Sequence, residues 1–156
     1  MILHFAYGAN MSRAVMHKHA PEAEALGPAT LADYRFAITA DGYASVERKR
    51  ADNVHGVLWR LSPRDCVRLA AWENVAGGLY RCECLPVRFA GRRRRALVYL
   101  ARPRPRGRPK AGYMELVVAA ALEWRLPAAY VGYLQHFLPK RPTAPGPRKL
   151  EEFGWT

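Results

Sequence analysis

The sequence predicts an α+β fold with a mixed or antiparallel sheet, and three observations carry that expectation. Strand-like and helix-like stretches follow one another as β-α-β-β-β-α-β-β-α-α. Strands therefore come in runs instead of alternating singly with helices, which argues against a doubly wound parallel sheet. Two of the strands are joined by the short turn Ala90-Gly91, a connection open only to antiparallel neighbours. The chain has 156 residues, 50% of them hydrophobic, which suits one domain around one core. Residues 1–140 are expected to form that domain, with a Pro- and charge-rich tail over 141–156.

The elements follow in order. Residues 1–7 read as a strand, and Ser12 is placed to cap a helix over roughly 13–19 that Pro21 stops. Strands are expected over 29–40, 43–48 and 53–61. "SPRD" then starts a helix: Ser62 as N-cap, Pro63 at the first helical position, Asp65 in the first turn. That helix should run to about Glu73. A hairpin spans 79–89 and 92–101, with Pro86 favouring an edge position or a bulge. Residues 102–110 read as a Pro/Arg linker. Helices over 111–124 and 128–138 follow, the first with Met114, Val117, Val118, Ala121 and Leu122 at helical spacing. There is no internal repeat.

Net charge is +12 and the isoelectric point about 10.2. The excess clusters in "GRRRRA" (91–96), "ARPRPRGRPK" (101–110) and "PKRPTAPGPRK" (139–149). Such runs either contact phosphates or are solvated loops. The second reading is adopted, so nucleic acid is not expected as a partner. No apolar run is long enough to cross a membrane, and the N-terminus does not read as a secretion signal. Three cysteines without a pairing framework point to reduced thiols and a cytoplasmic setting. Cys82 and Cys84 share a strand face and are expected to be packed thiols. His4, His17, His19, His55 and His136 show no ligand spacing with the cysteines, so no metal is expected. Trp59, Trp72 and Trp124 are expected in the core.

Two short stretches bear on chemistry. In the helix 63–73 the apolar positions Cys66, Leu69 and Ala70 form a stripe whose next member is Glu73. Either Glu73 is an exposed residue at a fraying helix end, or it is a partly buried carboxylate. In the second case burial and the negative end of the helix dipole both raise its proton affinity, as a general base that becomes an acid requires. The second stretch is "YGAN" (7–10), between the first strand and the first helix. It is either a plain turn or a loop whose backbone N–H groups converge on an anion such as a carboxylate. Gly8 allows close approach there, and Asn10 tolerates the left-handed backbone.

Taken together, these features resemble the gamma-glutamylcyclotransferase family, also described as AIG2-like. Tyr7-Gly8-Ala9-Asn10 matches the family's "YGSN" after an opening strand. Val54-His55-Gly56-Val57-Leu58-Trp59 matches "V-x-G-x-x-W". Glu73 closes a helix and Tyr80 follows seven residues on, in "LAAWENVAGGLYRCECLPV". Tyr99-Leu100 matches a strand "YL", and Tyr113 with "RLPAAYVGYL" matches the last helices. The match spans roughly residues 3–138.

The resemblance implies a small mixed, barrel-like sheet with flanking helices. It implies an enzyme that converts a small-molecule γ-glutamyl amide to 5-oxoproline and a free amine. Glu73 would be the catalytic acid and base. Tyr7 and the backbone of Gly8, Ala9, Asn10 and Met11 would line the pocket and hold the α-carboxylate end of the substrate, with Tyr99 reaching in and Tyr113 at the border. No metal or organic cofactor is implied. Ala9 stands where the family has Ser, which removes a hydroxyl. Asn74-Val75 replaces a Gly-Val pair, and Asn suits a left-handed helix end. A non-catalytic binding protein on the same fold is the alternative, as is a relative acting on another γ-glutamyl compound.

Overall fold

The computed structural model describes residues 2–140; the tail expected over 141–156 lies outside the described residues. Five strands close into a barrel in the order β1-β3-β2-β4-β5. They are β1 (Ile2–Ala6), β2 (Glu24–Ile38), β3 (Ala44–Leu61), β4 (Tyr80–Phe89) and β5 (Arg92–Ala101). Neighbours are antiparallel except β1 and β5, which run parallel where His4 meets Leu97. The sheet is therefore mixed. Helices α1 (Arg13–His19), α2 (Pro63–Trp72), α3 (Tyr113–Glu123) and α4 (Ala128–Gln135) flank it.

Closure depends on the long β2–β3 hairpin, whose register shifts between Ala25 and Gly27 and again between Ala32 and Tyr34. Bulges of this kind bend and twist a strand pair, so one hairpin can wrap a barrel. At the second shift Asp33 and Ala51 take φ of 64° and 70°, and the Asp33 carboxylate accepts the Ala51 N–H at 3.0 Å. The core takes residues from both faces of the sheet, among them Phe5, Leu31, Phe36, Trp59 and Val98, all buried, with the Trp59 ring set edge-on to His17 and Trp124. Met114, Val117 and Ala121 of α3 and Leu134 of α4 join it from outside.

Several expectations change. The separate strands at 43–48 and 53–61 are one strand, β3. Its pairing with β2 runs to Tyr34 opposite Arg48, breaks at the second register shift and resumes at Ala32 opposite Asn53, with 48–51 exposed, so alternation vanishes although the strand continues. Residues 102–110 are not a free linker. The Ala40 N–H donates to Pro105 O at 2.8 Å and the Gly107 N–H to Ile38 O at 3.0 Å, while Arg104 pairs with Asp41 and Arg106 with Glu47. Arg92–Arg95 lie on the hairpin arm expected over 92–101, now β5, and are solvated there on a strand instead of in a loop. Cys82 and Cys84, opposite Tyr99 and Leu97 of β5, are exposed instead of packed.

Candidate active site

The turn after β1 is shaped by close approach. A Cβ on Gly8 would fall 2.7 Å from the Tyr113 hydroxyl and 3.3 Å from Ala44 Cβ. Only a residue without a side chain lets β1 pass this close to α3 and β3. A single 3-10 turn, Ala9–Met11, follows. The Met11 N–H donates to Gly8 O at 3.1 Å and the Ser12 N–H to Ala9 O at 2.9 Å. Ser12 then caps α1 by accepting the Val15 N–H at 3.4 Å.

Successive residues of a 3-10 turn point about a third of a turn apart, which separates three neighbours. Ala9 and Asn10 reach the cavity beside the turn. Met11 does not: it is fully buried, and its carbonyl accepts Trp124 Nε1–H at 2.7 Å. Asn10 is not needed for a left-handed backbone. It contributes its side chain, whose Nδ2 donates to Glu73 Oε1 at 3.2 Å.

Glu73 is delivered by α2, which is anchored at both ends. Ser62 Oγ accepts the Asp65 N–H at 3.1 Å. Asp65 is itself buried and accepts the Glu22 N–H at 2.7 Å, which ties the helix start to the segment before β2. Leu69, one turn before Glu73, is fully buried. Glu73 is the C-cap, with its N–H on Leu69 O at 2.9 Å, and Asn74 takes the expected left-handed conformation at φ 52°. The residue keeps some surface toward solvent while its carboxyl is enclosed by protein. Burial pushes that carboxyl up to about 8, against the opposing pull of the Asn10 hydrogen bond.

Four tyrosines surround it. The Tyr7 hydroxyl donates to the Tyr99 carbonyl, and Tyr80 donates to Ala44 O at 2.8 Å. The Tyr113 hydroxyl accepts the Ala44 N–H at 3.2 Å and is also hydrogen-bonded to the backbone of Ala9. The Tyr99 ring packs against His4 with centroids 5.4 Å apart. Burial raises all four phenols, and the nearby Glu73 carboxylate adds to it. They therefore stay neutral. His4 is neutral too: burial brings it down to about 4, and its Nδ1 bonds the Leu97 carbonyl at 3.1 Å. Glu73 is thus the group on this wall whose proton can come and go near neutral pH.

These side chains enclose a cavity of about 140 Å³. Apart from Met11, each residue expected in the site lines it. The wall also holds His4, Tyr43, Tyr80, Leu79 and Trp72, to which the sequence reading gave no site role. Trp72 was expected in the core. It lies on the wall instead because α2 ends there, and its ring stacks on His19 with centroids 3.9 Å apart. A histidine inside the apolar strand "ILHFA" is a signal that could have drawn attention to His4; Tyr43 has no comparable signal. Among the described residues Glu73 is the single charged one lining the cavity. No cluster of three or more His, Cys, Asp or Glu gathers among the described residues.

A family model described as the AIG2-like family matches residues 53–134. No curated protein matches the chain. Among solved structures, one named gamma-glutamyl cyclotransferase superposes with a TM-score of 0.87 at 23% identity, over 97% of this chain and 96% of its own. An uncharacterized protein from Homo sapiens gives 0.87 at 24% identity, over 97% and 96%. YkqA from Bacillus subtilis gives 0.78 at 24% identity, over 92% of this chain and 56% of that one. At these identities the likeness is one of fold.

Proposed function

From the premise that the chain belongs to the AIG2-like family, we propose that it is a gamma-glutamylcyclotransferase with Glu73 as proton acceptor and donor. The observation that carries this reading is the enclosed Glu73 carboxyl, held by Asn10 against the turn after β1. A γ-glutamyl amide holds an α-ammonium and a γ-carbonyl on one short chain. The ammonium has no lone pair until it loses a proton. Glu73, as carboxylate, takes that proton, and the amine attacks the γ-carbonyl to close a five-membered ring. The attack gives a tetrahedral oxyanion intermediate. On collapse the carbonyl–nitrogen bond breaks and Glu73 returns the proton to the departing nitrogen. The ring nitrogen sheds its second proton to solvent and keeps one, and the free amine takes one up as it leaves, so no net proton is consumed.

Confinement holds the chain bent, so that amine and carbonyl meet without a search, an advantage of several kcal/mol. The neutral tyrosine wall keeps the surroundings poor in charge, which strengthens the interaction of Glu73 with the ammonium. We place the reaction in a reducing, cytoplasmic setting, which the three free thiols suit.

The test is 5-oxoproline release from a panel of γ-glutamyl amides as a function of pH. In the free enzyme Glu73 must be ionised to act as base, and its proton leaves at about 8. The expected kcat/KM rises about tenfold per pH unit below that value and levels above it. A profile already flat from pH 5 to 8 would remove Glu73 from this role. No 5-oxoproline from any member of the panel would favour a binding protein on the same fold.

A further inference from the structure

We propose that the mouth of this cavity selects leaving amines that are apolar or aromatic and bear no carboxylate, with Trp72 as the specificity-determining wall. The proposal rests on the γ-glutamyl reading above. Its basis is the way burial and charge are graded around the cavity.

Tyr7, Ala9, Asn10, Tyr80, Tyr99 and Tyr113 are buried and form the floor. Tyr43, Trp72 and Leu79 are only partly buried and mark the opening. A γ-glutamyl head that puts its ammonium against Glu73 and its carboxylate on the turn occupies the floor. The departing amine then points to the mouth, where it meets two aromatic rings and a leucine. Trp72 is held flat by its stack on His19, 3.9 Å between centroids at 19°. Tyr43 is fixed edge-on to Tyr113 at 5.5 Å. Such rigid rings bury an apolar group at little cost in side-chain freedom.

Charge argues the same way. The turn offers neutral donors to one carboxylate, that of the γ-glutamyl head. A leaving group that is an amino acid brings a second carboxylate, and among the described residues no Lys or Arg lines the cavity to meet it. A carboxylate desolvated without a cation is costly, and here it would also lie near the Glu73 carboxylate. Two cations stand beside residues of the mouth. The Lys110 ammonium lies 5.0 Å over the Tyr43 ring, and the Arg102 side chain packs against Gly78. Neither lines the cavity.

The test uses pairs of substrates that differ in one group. γ-Glutamyl-phenethylamide and γ-glutamyl-phenylalanine differ by the carboxylate; γ-glutamyl-phenethylamide and γ-glutamyl-methylamide differ by the ring. 5-Oxoproline release is measured with wild type, Trp72→Ala and Trp72→Phe, and affinity for the same compounds by calorimetry on Glu73→Gln. Wild type is expected to turn over the phenethylamide with kcat/KM about tenfold above either partner, the size of a well-filled apolar subsite. Trp72→Ala should bring the phenethylamide-to-methylamide ratio to about 2, and Trp72→Phe should restore part of it. Equal or better turnover of the phenylalanine compound would overturn the proposal while leaving the cyclotransferase reading intact. If no compound yields 5-oxoproline, the cyclotransferase reading falls. The calorimetric preference then decides the selectivity alone: tighter phenethylamide binding upholds it, and equal or weaker binding overturns it.

Discussion

Glu73→Gln is expected to lower kcat for 5-oxoproline release by about 10² to 10⁴, the range a positioned proton-transfer group supplies. Glutamine keeps the shape of the side chain and an oxygen to accept from Asn10 Nδ2, which donates to Glu73 Oε1 in the wild type. Binding should therefore fall far less than turnover. The same substitution is expected to stabilise the protein at high pH. In the fold the Glu73 carboxyl holds its proton up to about 8, against an ordinary value of 4.5. Between these values the native state binds more protons than the unfolded state, so stability falls as pH rises through that window. Below about pH 4 the two proteins should be equally stable. The gap opens above it and stops widening beyond about pH 8. At about 1.4 kcal/mol for each tenfold change in proton affinity the ceiling is roughly 5 kcal/mol. Because Glu73 keeps some surface toward solvent, the expected gain is on the order of 2–3 kcal/mol. Urea titrations of both proteins at pH 4 and pH 9 measure it. A mutant with wild-type turnover, or one less stable at pH 9, would contradict the role assigned to this carboxyl.

Gly56→Ala is expected to have the largest effect on the fold. Gly56 lies on β3 beside the end of β1, and a Cβ there would fall 2.2 Å from the Ala6 carbonyl oxygen and 2.9 Å from Phe5 Cζ. Neither a strand carbonyl nor a fully buried ring can yield easily, so β1 must shift. The cost should reach about 3 kcal/mol or more, the upper part of the range for overpacking. Because Ala6 leads directly into Tyr7 and Gly8, activity should fall along with the urea midpoint. Near wild-type stability and turnover would show that β1 can move without disturbing the site.

What was legible in the sequence was mostly local chemistry. The caps at Ser12 and Ser62 were readable because a hydroxyl and an N–H three residues on are enough to set a helix start. The left-handed Asn74 was readable for a similar reason. The continuity of β3 was not, since its polar middle is exposed and shows no period. The α2 stripe left Glu73 open to two readings, because a ten-residue helix offers few repeats. The choice depends on Asn10, 63 residues away in the chain. Met11 was misplaced because the motif has no information on how a 3-10 turn fans its residues. Trp72 was misplaced because size and apolarity do not separate a core ring from a cavity wall.

The central claim is that Glu73 is an enclosed carboxyl that holds its proton near neutral pH. Its most direct test is the ionisation of that one group, followed by the ¹³C shift of the Glu73 side-chain carboxyl in protein labelled at glutamate and assigned by comparison with Glu73→Gln. The expected midpoint is near 8 in the free protein, in step with the rise of kcat/KM. A midpoint at the ordinary value near 4.5 would contradict it.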